Sequence, residues 1–315
     1  QQMGRNSFGA AGVEKLSDAE LSEQLGRYQR QARTSLRVGL LGIASGLIAT
    51  VAMQNTALKA VIVAVLFGGG LCCVLFLSGG AQKKLKTLMQ EQLGDFFSAE
   101  LEQSFGPKLH TPEMQIDRTF LETLCLPDRK WEECETESFR EGSYHGLHFA
   151  AANVRLYHVY EQGHGQGSLG TGRDMVFKGL VLRCETCSPV SPAIHAAVRT
   201  ESSPRGVMTG DELFDRCFCV TAEREQDARA LLTSQFTAWL SELAQRVEGR
   251  LSAFCWEGRA FSLAIETDYG FAAVASDVDM RNLDAVRRSY STSLREMEKT
   301  LALLLENKAL FAQQT

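Results

Sequence analysis

The sequence predicts an α+β protein, in which an N-terminal transmembrane helical hairpin carries a cytoplasmic antiparallel-sheet domain with long flanking helices. Three observations lead there. Two apolar runs, Leu36 to Met53 and Leu58 to Ser78, lie almost back to back, each with one charge at its entry, Arg37 and Lys59. Beyond Glu137 the pattern turns to runs rich in Tyr, Phe and Val that are punctuated by glycine, which is the composition of strands. Near its end the chain carries a heptad-spaced apolar seam.

Residues 1–12 lack periodicity and are expected to be disordered. Residues 13–35 read as an amphipathic juxtamembrane helix. It opens at Ser17, an N-cap followed by Asp18 and Glu20, where acids favour the helix dipole. It carries Leu16, Leu21, Leu25 and Tyr28 and runs into the first span. A hydrocarbon layer of roughly 30 Å needs about 20 apolar residues in a helix. Residues 36–80 therefore supply two crossings, joined by a polar turn at Gln54, Asn55, Thr56 and Ala57. The apolar stretch follows an acidic, polar segment rather than a short basic leader, so a cleaved signal peptide is not expected.

Arg27, Arg30, Arg33 and Arg37 precede the first span, and Lys83, Lys84 and Lys86 follow the second. Basic residues stay on the cytoplasmic side. Both termini are thus expected in the cytoplasm, in a multi-pass protein of the inner (plasma) membrane. Arg27, Arg30, Arg33, Lys83, Lys84 and Lys86 are also candidates for holding anionic headgroups, although their topological role alone accounts for them. Gly42 and Gly46 on one span, with Ala60, Ala64 and Gly68 on the other, have the spacing of close helix packing. Either the spans pack on each other, or the Gly42/Gly46 face pairs with a second copy and makes a homo-oligomer.

Gly79 and Gly80 are expected to break or bend the chain ahead of a second juxtamembrane helix over residues 81–105, striped with Leu85, Leu88, Leu93, Phe96 and Leu101. Gly106 and Pro107 end it and open the cytoplasmic domain, residues 106–315. A short helix over Arg118–Leu124 stops at Pro127. The run from Glu137 supplies strands, including His145 and His148. The glycines at 163, 165, 167, 170 and 172 separate it from a strand over Asp174–Cys184. A loop with Pro189, Pro192 and Pro204 follows, then a strand over Leu213–Thr221 and a helix over Ala222–Arg246. Arg250–Trp256 and Ala260–Glu266 read as two strands turning at Glu257–Gly258. The final helix is expected from Met280 to Ala312. Its seam of Tyr290, Leu294, Met297, Leu301 and Leu304 packs on its own domain or contacts a partner chain.

A formal net charge of −5 leaves no basic footprint for nucleic acid. Two of the nine cysteines, Cys72 and Cys73, lie within a span, and the others face a reducing compartment, which favours free thiols or a metal site over disulfides. Cys184 and Cys187 form a CxxC, and Cys217 and Cys219 a CxC that one strand would project from one face. Four thiolates suit tetrahedral zinc, and such pairs also do redox chemistry. The alternative is that they pack as inert thiols, with no cofactor. The histidines His110, His145, His148, His158, His164 and His195 form no HExxH, the glycine-rich segment lacks P-loop spacing, and no GxSxG is present. No catalytic residue is assigned. Binding is the function favoured, as a scaffold for another membrane protein. A zinc-dependent or thiol-redox membrane enzyme stands second and a transport or channel component third, since neither span carries an ionisable residue at its middle.

Three stretches carry a family resemblance: Glu141–His158 with its paired glycines, Phe177–Leu180, and Phe214–Leu243 followed by Phe254–Thr267. Together with the spans they resemble a bacterial family of two-span membrane proteins, domain-of-unknown-function family 3137, over roughly residues 30–310. The shared signature is a phenylalanine strand followed by a helix opening on Ala228, Arg229, Leu231, Leu232 and Thr233. The chain departs from it at Cys217 and Cys219, in place of polar residues, and at Ser234, in place of proline. The resemblance implies no catalytic residues. As a partner it implies a LemA-like membrane protein.

Overall fold

The structure, a computed structural model, describes residues 15–52, 56–124, 130–164, 168–201 and 203–311. Residues 1–12, Gln54, Asn55, Pro127, Gly165, Gly167 and Ala312 lie outside the described residues. The chain divides into two compact units: Gln1–Ser98 with Asp277–Arg288, the hairpin unit, and Ala99–Ser276 with Ser289–Thr315, the sheet unit. A stretch expected in the C-terminal domain therefore lies with the N-terminal helices.

In the hairpin unit α1 runs from Asp18 to Ala52 without interruption. Its start is a reciprocal cap. The Ser17 hydroxyl accepts the Glu20 N–H at 3.4 Å, while the Glu20 carboxylate accepts the Ser17 N–H at 3.1 Å, which satisfies two end donors at once. At 1.5 Å per residue, α1 extends about 50 Å, well beyond a hydrocarbon layer. α2 (Thr56–Cys72), a π-helical turn (Cys73–Ser78) and α3 (Gly79–Phe105) follow one another. Gly79 and Gly80 thus do not break the helix. A glycine costs a helix only about 1 kcal/mol, and the irregularity sits instead in the wider π turn just before them.

α1 and α2 pack antiparallel through glycine. A Cβ on Gly70 would lie 2.7 Å from the Gly39 carbonyl oxygen and 2.9 Å from the Ile43 nitrogen, and one on Gly42 3.1 Å from the Leu66 carbonyl oxygen. At the base, Lys15 pairs with Asp95 at 2.6 Å and the Leu16 N–H donates to Gln92 at 3.0 Å. Gln29 ties α1 to the distant segment: its amide donates to the Val278 carbonyl at 2.6 Å and accepts the Met280 N–H at 3.1 Å.

Among the described residues the sheet unit is built on five antiparallel strands, β1 (Glu133–Tyr144), β2 (Leu147–His164), β3 (Ser168–Val198), β4 (Phe218–Ala222) and β5 (Arg250–Glu266). β3 is the spine. β2 pairs along its first part and β4 along its last, while β5 pairs from Gly179 to Ala197. β5 is buried on both faces over residues 251–256 and 261–265, which explains why it does not alternate polar with apolar. One face of the sheet clusters Ala152, Val154, Leu156 and Val181 with Met114, Ile116, Leu121 and Leu124 around the short helix α4 (Arg118–Thr123). The other carries aromatic rings: Phe105 against Phe149, and Phe236 against Trp256, with centroids 5.2 and 5.7 Å apart.

Several local readings change. The expected strand over Leu213–Thr221 opens as a helix, α5 (Glu212–Cys217), because the Asp211 carboxylate caps the Leu213 and Phe214 N–H groups, both at 3.1 Å. The helix over Ala222–Arg246 is two, α6 (Glu225–Leu231) and α7 (Ser234–Arg246), because Thr233 starts a fresh cap on the Phe236 N–H. Glu257–Gly258 is not a hairpin turn. β5 runs through it, with Gly258 at φ +54° opposite Val190. The register slips there because β3 carries the surplus residues, and Pro189 and Pro192 sit in that bulge rather than in a loop. His145 occupies the β1–β2 turn at φ +46° and shares no strand with His148. The last helix stops early, as α8 (Leu283–Leu305), and α9 (Lys308–Phe311) restarts on an Asn307 cap.

Candidate functional site

Two regions can do work, one in each unit. In the hairpin unit the helices α1 and α2 expose their apolar side chains: Ile48 is 68 % exposed, Val51 88 %, Val65 65 % and, in the π turn, Phe76 72 %. A core helix buries such residues. Among the described residues, two helices are long and apolar enough to cross a membrane, and with those residues uncovered they point to association with a membrane.

Below the apolar stretch stands a collar of cations. Facing pairs run from Leu16 and Gln92 at the base to Gly42 and Gly70. That register sets Arg27 opposite Lys83 and Lys84, with Arg30 and Arg33 about one and two turns nearer the apolar stretch and Lys86 about a turn further from it, and all six are exposed. Arg27 pairs with Glu23 at 3.1 Å and Arg30 donates to the Gly26 carbonyl at 3.2 Å, local contacts that leave the charges at the surface. Gly42 and Gly46 face Leu66, Phe67 and Gly70 of α2, so that face is covered within the chain. Gly68 and Gly69 have nothing within 4 Å of a Cβ.

The sheet unit holds a cleft of about 330 Å³. Its floor is Leu180 of β3, Ile265 of β5, Phe271, and Met297 and Thr300 of α8. One wall is the segment after β5, and the other is the α8 stripe of Ser289, Ser293 and Glu296. Tyr269, Glu248 and Thr292 are exposed at the mouth. Side chains hold the first wall by its backbone. Asn153 of β2 donates to the Phe271 carbonyl and accepts its N–H, both at 2.8 Å. Ser293 accepts the Ala273 N–H at 3.2 Å and Ser289 the Ala275 N–H at 3.0 Å. Beside the mouth, Lys178 donates to Asp268 at 2.7 Å and holds that carboxyl below its usual range.

The cysteines are not gathered. Cys184 is fully buried in β3, and burial pushes its thiol well above the usual range. Cys187 lies in the β3 bulge. Cys217 is exposed on α5, while Cys219 is buried in β4 and donates to the Pro204 carbonyl at 3.2 Å. Because Cys217 is helical, the two do not project from one strand face. Among the described residues no group of three or more His, Cys, Asp or Glu side chains is placed to hold a metal ion. The α8 seam is also internal: Tyr290, Leu294, Met297, Leu301 and Leu304 are at most 3 % exposed, so they pack within their own chain rather than facing a partner. The cleft was missed from the sequence because its residues lie far apart along the chain. One trace was present, the small polar stripe of Ser289, Ser293 and Thr300 beside the seam.

No family model matches the chain, and no curated protein matches it. Among solved structures, the crystal structure of the mycobacterial trehalose monomycolate transport factor A, TtfA, is similar at 10 % sequence identity, covering 67 % of this chain and 95 % of that chain. Its TM-score of 0.30 is too low to carry an argument about fold or function.

Proposed function

We propose that this chain is a two-span protein of the plasma membrane, with both helix bases in the cytoplasm, whose sheet unit is a tethered binding module for another membrane protein. The observation that carries the reading is the pair of long helices with uncovered apolar surface. Tethering confines the sheet unit to a layer next to the bilayer, which raises its effective concentration for any partner in the same membrane without new contacts. The basic collar supports the orientation, and it also contacts anionic headgroups, worth about 1 kcal/mol per Lys or Arg near the surface. The resemblance to family 3137 supports the same arrangement and names a LemA-like membrane protein as the kind of partner.

The test is purification of the tagged full-length protein in mild detergent with quantitative mass spectrometry. A membrane protein recovered in fixed stoichiometry, and lost when the sheet unit is altered but the hairpin kept, is the expected result. In the same membranes, a cysteine placed at Asn55 should react with an impermeant thiol reagent added from outside. Protection of that cysteine in intact cells, with labelling after lysis, overturns the orientation.

A further inference from the structure

The cleft has a chemical preference that its walls dictate. Its floor is hydrocarbon and thioether: Leu180, Ile265, Phe271 and Met297, the last an adaptable filler of irregular space. The Ser289, Ser293 and Thr300 hydroxyls are already engaged with backbone. Ser293 accepts the Ala273 N–H and donates to the Tyr290 carbonyl at 2.7 Å, Ser289 accepts the Ala275 N–H, and Thr300 donates to the Glu296 carbonyl at 3.0 Å. Ser293 and Thr300 therefore have no proton left to donate toward the space. The serine bonds fix the wall at Ala273 and Ala275, and those from Asn153 fix it at Phe271, so the cleft is formed in advance of any occupant, as ligand sites commonly are.

Among the described residues, the charged side chains that line the cleft, Glu248 and Glu296, are both acidic. Glu248 is exposed at the mouth, and Glu296 lines the cleft with Lys299 against it at 2.7 Å. An anionic head would be repelled by these carboxylates, while an uncharged or cationic one would not. In bulk, 330 Å³ equals about eleven liquid-water volumes at ~30 Å³ each, and a methylene is of similar size.

We propose that the cleft between the segment after β5 and α8 binds a single-chain amphiphile, with a hydrocarbon body of about ten carbons inside and an uncharged or cationic head at Tyr269 and Glu248. The inference rests on the sheet unit alone and holds whether or not the hairpin spans a membrane.

The test uses the full chain in phosphatidylcholine nanodiscs with a decanol analogue that carries a diazirine at its chain end. After irradiation, adducts are mapped by peptide mass spectrometry. Adducts are expected on residues 265–275 and 289–300. Thr292→Trp at the mouth and Ala275→Leu in the wall should each reduce them about tenfold. Adducts in residues 38–78 should stay constant in both variants, reporting on the hairpin and on probe delivery separately from the cleft, and an unchanged melting temperature shows that each variant folds. The carboxylic acid of the same length should label the cleft about tenfold less than the alcohol. Adducts confined to residues 38–78, cleft adducts that survive both folded variants, or equal labelling by the acid would each overturn the proposal.

Discussion

Gly39, Gly42 and Gly70 let two long helices meet backbone to backbone, and this is the point at which single residues matter most in the hairpin unit. A Cβ at Gly70 would collide with the Gly39 oxygen and the Ile43 nitrogen, neither of which can rotate away, whereas a Cβ at Gly68 meets nothing. Gly70→Val is therefore expected to destabilise the hairpin by about 1–3 kcal/mol, the usual result of forcing bulk into a packed contact. Gly68→Val should be nearly silent. Thermal unfolding of both proteins in detergent, followed by circular dichroism, separates them, and equal losses would sink the argument. In the sheet unit the residue to watch is Tyr290, which is 3 % exposed. Burial raises its phenol above the usual value, Glu100 adds to the rise and Arg140 opposes it. A raised folded-state value means that the unfolded chain ionises first. The stability from a neutral Tyr290 is thus whole below about pH 10 and lost as pH climbs past it. Urea midpoints taken from pH 8 to 11 should fall less steeply for Tyr290→Phe than for the parent.

At the scale of elements, short caps decide where helices begin. The Thr233 hydroxyl accepts the Phe236 N–H at 3.3 Å and starts α7, whose Phe236 stacks on Trp256. Thr233→Ala should cost about 1 kcal/mol, and Thr233→Gly only a few tenths, as measured by denaturant titration. An equal cost for both would point to packing rather than capping. The same scale shows why some elements were legible in the sequence and others were not. Ser17 with Glu20 is a local signal that acts locally, and α1 starts where it says. Gly258 and the prolines at 189 and 192 carry local signals for turns, yet they lie in strands. The partner strand decides there: β3 absorbs surplus residues opposite β5, and a bulge uses the same residue types as a turn. Asp211 was legible only after the fact, because a five-residue strand follows the helix it caps. The cleft needed four separate segments to meet, and no local pattern reports such a meeting.

At the scale of the whole molecule, the collar and the tie between distant segments have separate consequences. Replacing Lys83, Lys84 and Lys86 by Glu removes three of the six collar cations and should weaken attachment to vesicles rich in anionic lipid, by about 1 kcal/mol per lysine if all reach the surface. The loss should shrink as salt rises. If flotation of the two proteins is identical while the Asn55 side changes, the cations govern topology and not lipid contact. The tie made by Gln29 concerns time. Its partners, Val278 and Met280, lie 249 and 251 residues later in the chain. At a synthesis rate of ~5–20 residues per second, they leave the ribosome about 12–50 s after Gln29 does. The two long helices therefore emerge, and can enter a bilayer, while the amide of Gln29 is still without its backbone partners. The hairpin unit becomes complete only after all five strands of the sheet, which lie between its two parts in sequence, have been made.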